Sequence, residues 1–150
     1  MAKLNEKAAM FQRYVAKKDP TAFGIAEVPN APLHSVIFRS QLNVENTPLP
    51  LVVELDDSPF GIIRVVLEVQ LTQEDKQTRI AQCMNRLNAH YKIYKFYLDP
   101  QKNLLMDTSV IFRDSNVDGN QLYSLFEIIA HDLKDIRKEI KQAIWEEEKV

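Results

Sequence analysis

DSNVDGNQLYSL, residues 114 to 125, places Asp114, Asn116, Asp118 and Gly119 at the first, third, fifth and sixth positions of a calcium loop. The twelfth position decides against calcium. It requires a bidentate glutamate and holds Leu125, which an apolar helical stripe claims, and the segment before the loop reads as a strand where a helix is needed. The competing reading is a turn in which Asp118 or Asn120 caps the helix that follows. The other reactive groups are scattered. His34, His90 and His131 fall in three different elements, with no partner at ligand spacing. Cys83 lies beside a buried stripe with no adjacent histidine or basic residue, the setting of a small core hydrophobe rather than a reactive thiol. Asp56 and Asp57 sit at a hairpin tip, where acids favour turn geometry. Glycine occurs only at 24, 61 and 119, so neither a phosphate loop nor a dinucleotide fingerprint can be written. A catalytic set would have to be assembled from residues remote in sequence. The expectation is a non-enzyme with no cofactor and no metal.

Two further groups point to contact rather than to reaction. Asn85 and Asn88 share a helix side away from its apolar stripe, either as hydrogen-bonding groups for a partner's backbone or as solvated side chains. Trp145 lies about 100° off the stripe of the last helix, near Lys134, Lys138 and Lys141. An exposed tryptophan there marks a contact or packs over lysine stems.

The elements that must position these groups follow from periodicity. Leu4, Ala8, Phe11 and Val15 lie on one side of a helix over residues 4 to 18, which Asp19 and Pro20 stop. Residues 19 to 33 carry three prolines and a glycine; a short helix or an edge strand fits Phe23 to Val28. Residues 34 to 71 alternate as strands. Val36, Phe38, Leu42 and Val44 share a side, and NTPLP makes the next turn. A five-residue loop from Asp57 to Gly61 sets Glu54 opposite Arg64 and gathers Leu49, Leu51, Val53, Leu55, Ile63, Val65, Leu67, Val69 and Leu71 on one face. The reverse face, with Val52, Ile62, Arg64, Val66 and Glu68, is mixed.

Thr72 reads as the N-cap of a second helix, with Asp75 three places on and Ile80, Met84, Leu87 and Tyr91 as its stripe. A hairpin follows. Its five-residue loop from Asp99 to Asn103, with Asn103 able to take the left-handed conformation, sets Lys95 opposite Asp107, Phe96 opposite Met106 and Leu98 opposite Leu104. The other face carries Ile93, Tyr97, Leu105 and Ile111 and needs a cover. Residues 120 to 147 form a final helix of about 42 Å, against a radius of gyration of about 15 Å for a compact chain of this length. Its end is therefore expected to leave the body of the domain, where it finds a partner, bends back or frays.

The succession is helix, three strands, helix, two strands, helix: an α+β fold with a five-stranded antiparallel sheet and packed helices. The 150 residues fit one domain. A net charge of −2 argues against a dedicated nucleic-acid binder, and Arg64 and Glu68 interrupt the longest apolar stretch far short of a membrane span. Lys3, Glu6 and Lys7 stand where a signal peptide places its apolar core. With one cysteine no internal disulfide forms, and a cytoplasmic setting is expected.

The order of elements resembles the type III secretion chaperone-like fold. Within it, MNRLN of the second helix, KFYLD of the fourth strand and NLLM opening the fifth are similar to the YbjN family and to a related cyanobacterial family of uncharacterised proteins. The likeness covers most of the chain as an order of elements and about thirty residues, Arg79 to Ile111, as a motif. It implies a homodimeric, non-enzymatic, chaperone-like or regulatory module that binds a protein segment. Its partner-binding residues would be Ile93, Tyr97, Leu105, Ile111 and Trp145. The alternative is a small-molecule-sensing regulator with an apolar cavity between the sheet and the C-terminal helix.

Overall fold

Asn5 opens the first helix by accepting the Ala8 N–H on its Oδ1 at 2.8 Å, a side-chain cap for one of the donors that a helix start leaves unpaired. The computed structural model describes residues 4–114 and 116–145. Helix α1, Glu6–Lys18, buries Ala8, Phe11 and Val15 and ends where the Asp19 N–H bonds Val15 O. Lys7 is buried beside them, its ammonium donating to the backbone carbonyls of Asp56 and Ser58, and this binds the helix start to a distant loop.

Among the described residues six strands follow rather than the expected five. The edge-strand reading of Phe23 to Val28 is the one the chain adopts, as β1, Gly24–Glu27. It is joined by β2 (Val36–Val44), β3 (Thr47–Leu55), β4 (Phe60–Glu68), β5 (Lys95–Leu98) and β6 (Leu104–Ile111), all antiparallel in the order β1-β2-β3-β4-β6-β5. Helix α2, Glu74–His90, connects β4 to β5, and α3, Gly119–Trp145, follows β6.

Local turns differ from expectation in instructive ways. The β2–β3 turn is made by Glu45 and Asn46, both at positive φ, so NTPLP belongs to the strand. Two-residue closure makes Val44 and Thr47 a hydrogen-bonded pair, which turns the nitrogens of Pro48 and Pro50 away from β2 and toward β4. The β3–β4 ladder accordingly runs only from Leu51 to Leu55. At its other end the register is offset by two residues from expectation: Glu54 faces Ile62, and Arg64 faces Val52. An offset of two preserves the faces, so Leu51, Val53, Leu55, Ile63 and Val65 are all buried as expected. Val69 is not among them; it lies past the end of β4 and is 63% exposed. A register shift between Val66 and Glu68 sets Glu68 beside Leu104. Glu68 lines a recess with Lys76 of α2 and Ile144 of α3, on the helix side instead of the open side, and Arg137, Lys141 and Lys76 act on its charge.

Gln73, not Thr72, occupies the N-cap position of α2, without a side-chain cap bond, because the chain stays extended until Glu74. Cys83 is central to the buried stripe, with Ile80 and Leu87, and burial raises its thiol pKa. The β5–β6 register is as the sequence predicts, Lys95 with Asp107, Phe96 with Met106 and Leu98 with Leu104. Lys102, not Asn103, takes the positive φ in that turn. Asn103 instead ties the turn to the end of β4, accepting the Gln70 N–H at 3.0 Å and donating to Asp99.

The buried stripes of all three helices join the inward residues of the sheet in one cluster, from Phe11 on Phe38 to Ile129, Leu133 and Ile136 of α3. The α3 stripe is buried as far as Ile144, 2% exposed. Its end neither protrudes nor lacks a cover within the chain, since α2 lies against it and Arg79 donates to the carbonyls of Ala143 (2.7 Å) and Ile144 (3.4 Å), groups that a helix end leaves unpaired. Residues 146 and 147 of the expected helix lie outside the described residues. Asp118 Oδ1 accepts the Asn120 and Gln121 N–H groups, which is the capping turn weighed against calcium.

Candidate protein-binding face

With the helices on one side, the alternate residues of the central strands form an open face. The registers lay it out in rows: Arg39, Val52, Arg64, Asp107 and Lys95 in one; Ile37, Glu54, Ile62 and Ser109 in the next; Gln41 and Leu105 with Tyr97 in a third. Ile37, Val52, Ile62 and Val66 are half-buried among their neighbours, with no helix of the described residues above them. Phe60 (52%) and Ile111 (70%) are exposed as a pair at one end.

One pair of opposite charges on this face is settled within it. Arg64 Nε and a terminal guanidinium nitrogen donate to the two oxygens of Asp107 at 2.8 and 2.9 Å, a bidentate pair. Tyr97 Oη donates to the same carboxylate at 2.8 Å. Burial, followed by the bond to Asp107, pushes the Tyr97 phenol up to about 12, and the hydrogen bond to Asp107 raises the Arg64 pKa. Lys95, opposite Asp107 as expected, makes no bond to it and lies over the Tyr97 ring at 4.8 Å. A carboxylate held by a guanidinium and a phenol is a structural anchor and is poorly placed to take a proton from a substrate. Among the described residues no group of three or more His, Cys, Asp or Glu side chains could hold a metal ion, and no helix is long and apolar enough to cross a membrane.

The residues singled out in the sequence divide. Tyr97 and Leu105 are cross-strand neighbours on the open side of β5 and β6; Ile111 shares that side but lies at the far end of β6 opposite Phe60, lining one recess with Ile93, which stands just before β5. Ile93 and Ile111 are exposed and Tyr97 is half-buried, but Leu105 is only 6% exposed and offers little surface. Trp145 stands apart, 63% exposed at the far end of α3, with the Lys76 ammonium 4.0 Å above its ring in place of the lysines of its own helix. Asn88 does bond a backbone, but its own: its amide accepts the Phe96 N–H at 2.8 Å and donates to Phe96 O at 3.1 Å, closing the outer edge of β5. Arg64 was not legible as the partner of Asp107, because β4 and β6 are adjacent only through the sheet order; its own pairing signal pointed to Glu54.

No family model matches this chain, and no curated protein matches it. Among solved structures it is similar to a chain of the heterodimeric complex ExoU–SpcU from the type III secretion system of Pseudomonas aeruginosa, with a TM-score of 0.49 and 15% sequence identity over 87% of this chain and 97% of that one.

Proposed function

We propose that this chain is a non-enzymatic protein-binding module, chaperone-like or regulatory in role, that works as a homodimer and engages partners through the open face of its sheet. The observation that carries this reading is the one-sided layering: the three helices of the described residues join one core, and the band of Ile37, Val52, Ile62 and Val66 on the other face has no cover among those residues. Half-buried apolar side chains beside the internally paired Arg64 and Asp107 suit protein contact better than solvent exposure. The alternative of a small-molecule cavity beneath α3 has no such support, since Ile129, Leu133 and Ile136 are fully buried there.

A photo-crosslinking residue at position 62, compared with one at Glu127 on the exposed side of α3, tests the reading together with sedimentation. Crosslinks to a second copy or to another protein from position 62 alone, and a dimer weakened by Ile62→Glu, are expected. Equal crosslinking from both positions and a monomer at every concentration would refute it.

A further inference from the structure

The strand β5 covers only half of β6. Lys95–Leu98 pair with Leu104–Asp107, while Thr108–Ile111 have β4 on one side and, among the described residues, no strand on the other. Parity fixes which backbone groups this leaves. The Phe112 N–H donates to Pro59 O at 2.8 Å, so along the antiparallel register Val110 and Thr108 direct their backbone groups to β4, and Ser109 and Ile111 direct theirs to the vacant side. The bonds of Phe96 to Asn88 agree with this parity, since they leave Lys95 and Tyr97 to bond Asp107 and Leu105 of β6. Among the described residues nothing outside the sheet bonds the backbone of Ser109 or Ile111.

The vacant side is a groove of about 570 Å³, walled by the segment before β5 and by Gln121 and Leu125 of α3. Ile93 and Ile111, 45% and 70% exposed, supply its apolar surface. Lys92 and Lys95 line it and are in no ion pair among the described residues, while its only carboxylate, Asp107, is held by Arg64. The groove therefore has free backbone donors and acceptors, apolar side chains and uncompensated positive charge. From this the geometry points to an extended, acidic peptide segment of a partner protein, apolar at alternate positions, that adds as an antiparallel strand to β6 at Ser109 and Ile111. A single strand fits this recess. A second copy meets it poorly, because in each copy β5 projects one strand spacing, about 4.8 Å, beyond β6. The inference rests on the protein-binding reading above and assigns it a partner class and an edge.

The test uses the full chain and a fluorescein-labelled octapeptide of alternating valine and glutamate, read by anisotropy. Saturable binding is expected. N-methylation of the valine amides, which face Ser109 and Ile111 in antiparallel addition, should weaken it at least about tenfold, and N-methylation of the glutamate amides much less. Ser109→Pro, which removes only the outward N–H, should lose binding that Ser109→Ala keeps, with melting curves confirming that both variants fold. A lysine-for-glutamate peptide should bind more weakly than the parent. Equal binding by the two methylated peptides, no binding by the wild-type chain, or a dimer abolished by Ser109→Pro would overturn the assignment. If Ser109→Pro binds normally and Ile62→Glu does not, the edge assignment fails and the open-face reading stands; if neither variant matters, both fail.

Discussion

On the helix side of the sheet Phe38, Val53, Ile63 and Met106 are each at most 1% exposed, while one residue along, on the other side, Ile37, Val52, Ile62 and Asp107 stand under no helix. The same strands make both surfaces, and the difference lies in what satisfies each side chain. Inward residues depend on helices brought from elsewhere in the chain, as Phe38 depends on Phe11, whose ring centre is 4.9 Å away. Outward residues depend on their ladder neighbours, as Arg64 depends on Asp107. The covered face is thus an element of stability, and the open face can change its surface at small cost wherever its internal pairs are kept.

Substitutions can break this contrast. Phe96→Ala, on the covered side and 3% exposed, should cost about 3–5 kcal/mol in denaturant unfolding, the range for an aromatic side chain removed from a core. Asp107→Ala should cost about 2–3 kcal/mol despite lying on the open face, because it leaves a half-buried guanidinium and a phenol without their shared acceptor; a cost near zero would show that the open face has no internal pairing worth keeping. Trp145→Ala, away from both faces, should cost less than about 1 kcal/mol, since the ring is 63% exposed and its contact is with a lysine. Destabilisation equal to that of Phe96→Ala would contradict the division between core and surface.

The phenols sharpen the contrast without truncating a core side chain. Tyr97 holds its proton to about pH 12 in the folded chain against 10 for an ordinary tyrosine, so the folded state binds that proton more tightly than the unfolded state does. Its contribution is complete below pH 10 and is lost as the pH rises from 10 to 12. Tyr91, Tyr94 and Tyr123, also raised by burial, push in the same direction. Alkaline melting curves should fall over this range, and Tyr97→Phe should flatten part of the fall and remove a phenolate absorbance step centred near 12.

What the sequence made legible follows the distance over which each choice is decided. The β5–β6 register, set by five residues between Leu98 and Leu104, could be read from Lys95, Phe96 and Leu98 directly. The β3–β4 register was drawn two places off by the attraction of Glu54 for Arg64, whereas the arginine is claimed by a carboxylate 43 residues away. Face assignments survived because strand parity is insensitive to an offset of two. The cover on the end of α3 is out of local reach for a similar reason, as Arg79 and α2 supply it from 64 residues away. The groove beside Ser109 could not be seen at all, since it exists only because β5 is shorter than β6 and lies outside it in the sheet.

The position of β6 between β4 and β5 also bears on how the chain acquires its shape during synthesis. Strands β1 to β4 are neighbours in sequence and can close hairpin by hairpin, but β4 meets its second neighbour only after α2 and β5 have been made. Until then the nascent sheet ends in β4, with the backbone groups of Gly61, Ile63 and Val65 on an unprotected rim, the kind of rim that recruits foreign strands. The chain therefore passes through an interval in which it is itself a client for the binding its mature form is proposed to offer.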